Sequence, residues 1–244
     1  MTNKQDLTDK VVLITGASRG IGYATALEAA RRGAHVIAVA RTVGGLEDLD
    51  DAIQAMGGAT TLVPLDLTDY DAIDRLGAAI FERWGRLDGL IGNAGMLGVL
   101  MPVAHIAPKE FEKTLAVNVT ANYRLLRSMD ALLRQSAAGK AVFVSSGAAK
   151  SAKPFWGLYA ASKAALDAMI KSYSGEMANT SVQTNLFNPG PVRTAMRAKA
   201  MPGEDPDTLP APAEIAPFLV DMISPEHNAN GQMFNMADKS LTAI

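Results

Sequence analysis

The strongest constraint on the fold is an alternation that begins near the N-terminus, in which short apolar runs are separated by longer amphipathic stretches. Val11–Thr15 reads as a buried strand, because its unbroken β-branched run suits a strand covered on both faces. Ile21–Arg32 reads as a helix, with Gly33 placed to end it in a left-handed conformation. Further strands are expected at His35–Ala40, Thr61–Asp66, Leu87–Gly92, Ala141–Ser145, Val182–Phe187 and Gln232–Met236. Further helices are expected at Leu46–Met56, Asp69–Trp84, about Pro108–Ser136 and Leu158–Ala178. Strands alternating with helices of this length imply right-handed crossovers, hence a predominantly parallel, seven-stranded sheet with helices on both faces. The expected fold class is doubly wound α/β, with residues 1–244 as a single domain.

Composition narrows the function. A net charge of −2 leaves no basic field for nucleic acid or an anionic membrane surface. With no cysteine, thiolate catalysis, disulfides and Cys-based metal sites are excluded. The polar start Met1–Asp6 has no apolar core of a signal peptide, and no apolar run approaches a bilayer-spanning length, so a cytoplasmic enzyme is expected. His35, His105 and His227 are isolated, on no metal-ligand spacing, and no metal is expected. Met201–Pro217, with prolines at 202, 206, 210, 212 and 217, reads as a loop, and the segment at about 195–217 is expected to border a substrate.

Thr15-Gly16-Ala17-Ser18-Arg19-Gly20-Ile21-Gly22 joins the first strand to the first helix. Glycines there allow a tight turn and the close approach of a pyrophosphate, which the helix N-terminus favours. Enzymes that bind NAD often end the second strand with an acid to hold the ribose 2′-hydroxyl, but here Arg41 and Thr42 follow Ala40. Arg19 and Arg41, with no carboxylate expected beside them, suit a 2′-phosphate, so NADP(H) is favoured over NAD(H). The competing reading is that Arg41 only solvates a strand end.

Tyr159 and Lys163 stand four apart on an expected helix, so they are neighbours on one face. An ammonium beside a phenol stabilises tyrosinate and makes tyrosine usable in proton transfer near neutral pH.

Taken together these motifs resemble the short-chain dehydrogenase/reductase family. The glycine turn at 15–22, Asn93-Ala94-Gly95, Asn118 in a helix, Ser146, Tyr159-Ala160-Ala161-Ser162-Lys163 and Asn188-Pro189-Gly190-Pro191-Val192-Arg193-Thr194 occur in the family's order. The resemblance implies a Rossmann-like fold and an NAD(P)(H)-dependent oxidoreductase that transfers a hydride between the nicotinamide and a small carbonyl or alcohol. It implies Asn118, Ser146, Tyr159 and Lys163 as catalytic residues, with Tyr159 as general acid/base and Lys163 also on the nicotinamide ribose. Ser146 is chosen over Ser145 because it lies thirteen residues before Tyr159, the family's spacing.

The cofactor is expected to touch Gly16, Ser18, Arg19, Gly20, Ile21, Gly22, Arg41, Thr42, Asn93, Ala94, Gly95, Tyr159 and Lys163. The resemblance adds Asp66 and Leu67 at the adenine, and Pro189, Gly190, Val192 and Thr194 near the nicotinamide. Asp66 also reads as a helix cap. Phe155, Trp156, Met96 and Met196 are candidates for an apolar substrate wall. The family's last strand is followed by a Gly-Gly pair that is missing here. A homodimer or homotetramer is expected, the dimer formed through the two long helices. The alternative is a catalytically silent dinucleotide-binding or regulatory protein of the same fold.

Overall fold

The computed structural model describes residues 5–244; the first residues of the polar N-terminal stretch, 1–4, lie outside the described residues. An eight-stranded sheet in the order β3-β2-β1-β4-β5-β6-β7-β8 runs through it. The strands are β1 (Val11–Thr15), β2 (His35–Ala40), β3 (Ala59–Pro64), β4 (Gly89–Gly92), β5 (Lys140–Val144), β6 (Gln183–Asn188), β7 (Gln232–Asn235) and β8 (Ser240–Ala243). All neighbours pair in parallel except β7 and β8.

Alternation along the strands divides the core. Leu13 and Ile37 point into one layer, packed with α3 (Tyr70–Trp84), α5 (Ala121–Gln135) and α7 (Gly157–Glu176). Val12, Ile14 and Val36 point into the other, packed with α1 (Gly20–Arg31), α2 (Val43–Ala55) and α9 (Pro212–Asp221). Leu13 and Ile14 are fully buried, and each such side chain contributes about 1.5–3 kcal/mol. The remaining helices are α4 (Pro108–Leu115), α6 (Ala148–Ser151) and α8 (Ala195–Ala200).

Strand order reverses between β1 and β4, the place where doubly wound sheets bind ligands beyond the strand C-termini. Register brings those ends level: Thr15 pairs with Val39, Ile14 with Ile91, Gly92 with Phe143, and Val144 with Phe187. Residues 16, 93, 145 and 189 therefore leave the sheet along one rim.

The structure corrects several expectations. The sheet has eight strands rather than seven, because Ser240–Ala243 pairs on one side only and carries one large apolar side chain, the exposed Leu241. That edge has no apolar pattern to betray it. The long helix expected at 108–136 is α4 and α5 joined by a π turn, Ala116–Thr120, which turns Asn118 inward. The loop expected through Pro217 instead gives way to α9. Pro212 takes its first turn, and burial of Ile215, Ala216, Leu219 and Val220 outweighs the backbone bond lost at Pro217. Other boundaries shift by one to three residues; Asp66 lies beyond β3, and Ser145 and Ser146 beyond β5.

Candidate active site

The glycine turn is built for a close backbone approach. Gly16 and Gly20 have φ of 69° and 61°, where side chains are strained. A Cβ at Gly22 would overlap the carbonyl oxygen of Gly16 and stand 2.5 Å from Asn93 Nδ2. Thr15 Oγ1 accepts the N–H groups of Asn93 and Ala94 at 3.1 and 3.0 Å, and Asn93 Nδ2 donates to the carbonyl of Thr15 at 2.9 Å, so the β1 and β4 exits are clasped together. At the start of α1, Arg19 is extended and gives no side-chain cap, and the first turn holds no acid. Its free N–H groups and positive dipole end fit an anion. Gly45, in the first turn of α2, lets Ser18 pack against it, since a Cβ there would lie 2.8 Å from the Ser18 carbonyl. Thr194 Cγ2 lies across from Gly20, 3.6 Å from where a Cβ would stand, so the segment after β6 covers the turn. These residues fit a dinucleotide.

The 2′-phosphate reading is revised at one point. Arg41 Nη1 lies 3.7 Å from the Asp66 carboxylate, so a carboxylate does stand beside it. Adjacent parallel strands cause this, because Ala40 is paired with Pro64 and both chains leave the sheet together. Both partners are largely exposed, and such a pair contributes little. The backbone N–H of Thr68 hydrogen-bonds Asp66 and keeps its carboxyl below the usual range, with Arg41 helping. Leu67 is buried in the core.

At the opposite side of the β1–β4 crevice, α7 presents Tyr159 and Lys163 on one stripe, 9 % and 4 % exposed. Ser146 faces the Tyr159 phenol, its Oγ receiving the Ala148 N–H at 3.2 Å. Burial pushes that phenol above its ordinary value, opposed by the Ser146 hydroxyl, so it is neutral and able to donate a proton. The expected lowering by Lys163 is not realised in this arrangement, where the ammonium bonds the Val144 carbonyl at 2.7 Å. Burial brings Lys163 itself down to about 8, opposed by the Asp167 carboxylate. Ser145 takes the other direction and donates to Asp167 at 2.5 Å.

Asn118 is fully buried, and its side chain receives the Met96 N–H at 2.8 Å and donates to the Met96 carbonyl at 2.9 Å and to Ser162 Oγ at 2.9 Å. Ser162 Oγ in turn donates to the Tyr159 carbonyl at 2.8 Å. Gly95 stands between the halves, a Cβ there lying 3.3 Å from Asn118 Oδ1 and 3.6 Å from Lys163 Nζ. The backbone carbonyl of Asn118 accepts Asn122 Nδ2 at 2.8 Å.

Of the apolar candidates, Trp156 meets Tyr159 edge-to-face with ring centroids 6.1 Å apart. Phe155 is exposed at φ 72°, its carbonyl held by the Met101 N–H at 3.0 Å. Met196 lies exposed on α8. A hollow of about 460 Å³ includes Thr194, Arg197, Met201 and Glu204 but none of Tyr159, Met96, Phe155 and Trp156. It adjoins the segment at 195–217 rather than the tyrosine. In the turn after β6, Asn188 Oδ1 receives the N–H groups of Gly147 and Gly190 at 3.1 and 3.2 Å, which ties Pro189 and Gly190 to the Ser146 loop. Val192 is buried beyond it. Sequence reasoning missed Thr15, Gly45, Ser162 and Asp167 as members of the site's frame. Only Thr15 and Ser162 had a signal, since both lie inside recognised motifs. Among the described residues no cluster suited to a metal is found, and no helix is long and apolar enough to cross a membrane.

The family model of short chain dehydrogenases matches residues 10–205. The oxidoreductase YciK of Escherichia coli (strain K12) is 38 % identical over 221 residues, covering 89 % of this chain and 87 % of its own. A short chain dehydrogenase of Shigella flexneri 2a str. 301, solved with NADP, superposes with TM-score 0.92 at 36 % identity, covering 96 % of this chain and 100 % of that one. One from Escherichia coli CFT073, solved with NADPH, superposes at 0.90 with 36 % identity, covering 96 % and 99 %. Fold, motif order and relatives agree: the chain belongs to the short-chain dehydrogenase/reductase family, oxidoreductases that act on CH–OH or C=O groups with NAD(P).

Proposed function

We propose that this enzyme reduces, or in reverse forms, a carbonyl on a small and fairly apolar molecule, with NADP(H) preferred to NAD(H). The observation that carries the reading is that Asn118 and Lys163 both stand against Gly95, while Ser162 ties Asn118 to Tyr159, one turn before Lys163 on α7, and Ser146 faces the Tyr159 phenol. The nicotinamide, when bound, supplies or accepts the hydride.

The side chains supply the rest. The neutral Tyr159 phenol donates its proton to the substrate oxygen as negative charge develops there. Ser146 holds that oxygen and the phenol together. The Lys163 ammonium, one turn along α7, stabilises the tyrosinate left behind and binds the nicotinamide ribose hydroxyls. Asn118 holds the Met96 backbone and, through Ser162, the first turn of α7. Its backbone carbonyl would hold a water that returns the proton through Lys163. Gly16, Ser18, Arg19, Gly20, Ile21 and Gly22 would hold the pyrophosphate, and Asp66 and Leu67 the adenine. Asn93 braces the sheet, and Ala94 and Gly95 would lie along the cofactor. Pro189, Gly190, Val192 and Thr194 would border the nicotinamide.

NADP is supported by Arg41 with Thr42 in place of an acid, by the weakness of the Arg41–Asp66 pair, and by the NADP and NADPH bound to the two similar structures. A 2′-phosphate competes well for a guanidinium held only by an exposed carboxylate. Trp156, which meets Tyr159, would begin an apolar wall to which Phe155, Met96 and Met196 are candidates, and residues 195–217 would border the substrate within a single domain.

NADPH oxidation across a panel of aliphatic and aromatic aldehydes and ketones, wild type against Tyr159→Phe, tests this. Turnover abolished by the substitution is expected. Tight NADPH binding with no turnover on any member would replace the reading with a silent binding protein.

A further inference from the structure

Three consecutive residues at the exit of β5 face three residues of α7 spaced four apart. The Val144 carbonyl receives Lys163 Nζ at 2.7 Å, Ser145 Oγ donates to Asp167 Oδ1 at 2.5 Å, and Ser146 faces the Tyr159 phenol. Residues 159, 163 and 167 form one stripe of the helix, so these contacts make a ladder between strand exit and helix. Two of its rungs end on the reacting groups. The third, Ser145–Asp167, ends on a carboxylate that no step of the reaction uses.

We propose that Asp167 is a positioning residue, whose bond to Ser145 holds the β5 exit in register with α7 and so aims Ser146 at Tyr159. The proposal rests on the reading of Ser146, Tyr159 and Lys163 as the reacting set. Its geometry is independent of that reading. Ser145 is 2 % exposed, and its backbone N–H is fixed on the other side by the Phe187 carbonyl at 2.8 Å. Its side chain therefore has one direction left, toward α7. Asp167 is half-buried where a merely solvated helix face would be open. Burial raises its carboxyl, opposed by the Ser145 hydroxyl and by Lys163 and Lys150; Lys171 lines the same hollow. A hydroxyl on a carboxylate is among the stronger hydrogen bonds, and one anchor at the far end of the stripe prevents α7 from rotating under Tyr159. Displacement of about 1 Å in such a site costs up to about 100-fold in rate.

The test compares Ser145→Ala, Asp167→Ala, Asp167→Asn and the double alanine variant with wild type. Thermal midpoints, kcat and KM are measured with NADPH and the best-reduced panel member. Titration of Tyr159 is followed by tyrosinate absorbance as a difference against Tyr159→Phe in each background, without substrate. Each single alanine variant is expected to lower kcat about 10-fold with KM for NADPH within about threefold, and the double variant to be no worse than the poorer single. Asp167→Asn, which keeps an acceptor for Ser145, recovers most of the loss. The Tyr159 midpoint rises in the charge-neutral Ser145→Ala by about half a pH unit or more, because the Ser146 hydroxyl that opposes burial moves away from the phenol. Additive losses, an Asn variant as poor as Ala, or an unmoved Tyr159 midpoint would overturn the proposal. If wild type reduces no carbonyl, the reaction reading falls, and the Tyr159 midpoint in Ser145→Ala alone decides the rung.

Discussion

Gly22→Ala isolates the steric demand of the glycine turn, because Gly22 lies within α1 and has no unusual φ. A methyl there overlaps the Gly16 carbonyl and stands 2.5 Å from Asn93 Nδ2, both parts of the clasp between β1 and β4. Neither neighbour can yield cheaply: one is backbone, and the other bonds the Thr15 carbonyl at 2.9 Å. Overpacking of this kind costs about 1–3 kcal/mol, and a strained or broken Asn93 bond adds about 1. Alanine gains up to about 1 kcal/mol in helix propensity, leaving a net loss of about 1–3. For a chain of this size that is about 2–12 °C in thermal midpoint. The pyrophosphate cradle shifts with Gly16, so NADPH affinity should fall about 10-fold or more. Thermal melts with and without NADPH, together with fluorescence titration, measure both. Gly175→Ala is the control: Gly175 is exposed on α7 with nothing within 4 Å of where a Cβ would stand, and the substitution should raise stability by about 0.5–1 kcal/mol. A Gly22→Ala protein with wild-type melting and NADPH affinity would refute the packing argument.

Three further outcomes follow from particular contacts. Arg32 is 2 % exposed and bonds Asp6 at 2.8 and 2.5 Å and Asp221 at 2.7 Å, so Arg32→Ala should lower stability to urea by about 3–5 kcal/mol. Replacement of Arg41 by alanine should weaken NADPH about 10-fold while NADH binding changes little, as read by paired titrations; equal losses for both would remove Arg41 from phosphate recognition. Lys163 is held at about 8 in the folded protein against an ordinary value of 10.5, so the unfolded chain binds more protons between those values and stability gains from this group as pH rises through that window. Urea unfolding of Lys163→Met should therefore show its largest advantage over wild type near pH 7, up to about 3 kcal/mol, shrinking toward pH 10; a pH-independent difference would contradict it.

Much of the site was legible because its chemistry coincides with local patterns. The β1–turn–α1 unit announces itself by a β-branched run followed by glycines, and Tyr159 and Lys163 share a face by helical spacing alone. What escaped was set by partners distant in sequence. Asp167 reads as one more polar residue on a helix until Ser145, 22 positions earlier, is found bonded to it. Ser162 acquires its place only through Asn118, 44 residues away. The π turn at 116–120 leaves no periodic trace, and β8 is an exposed edge whose pairing, not its composition, makes it a strand. The carboxylate beside Arg41 was hidden because register between β2 and β3, and not chain order, places Asp66 there.

On the proposed reading the Tyr159 phenol gives up the proton at a site already competent to bind NADPH. Single-turnover reduction of the best panel substrate by wild type and Tyr159→Phe, each saturated with NADPH, separates the two properties. The rate is expected to fall by about 100-fold or more while NADPH affinity stays within about threefold. A Tyr159→Phe protein that reduces the substrate within a few-fold of wild type would contradict it.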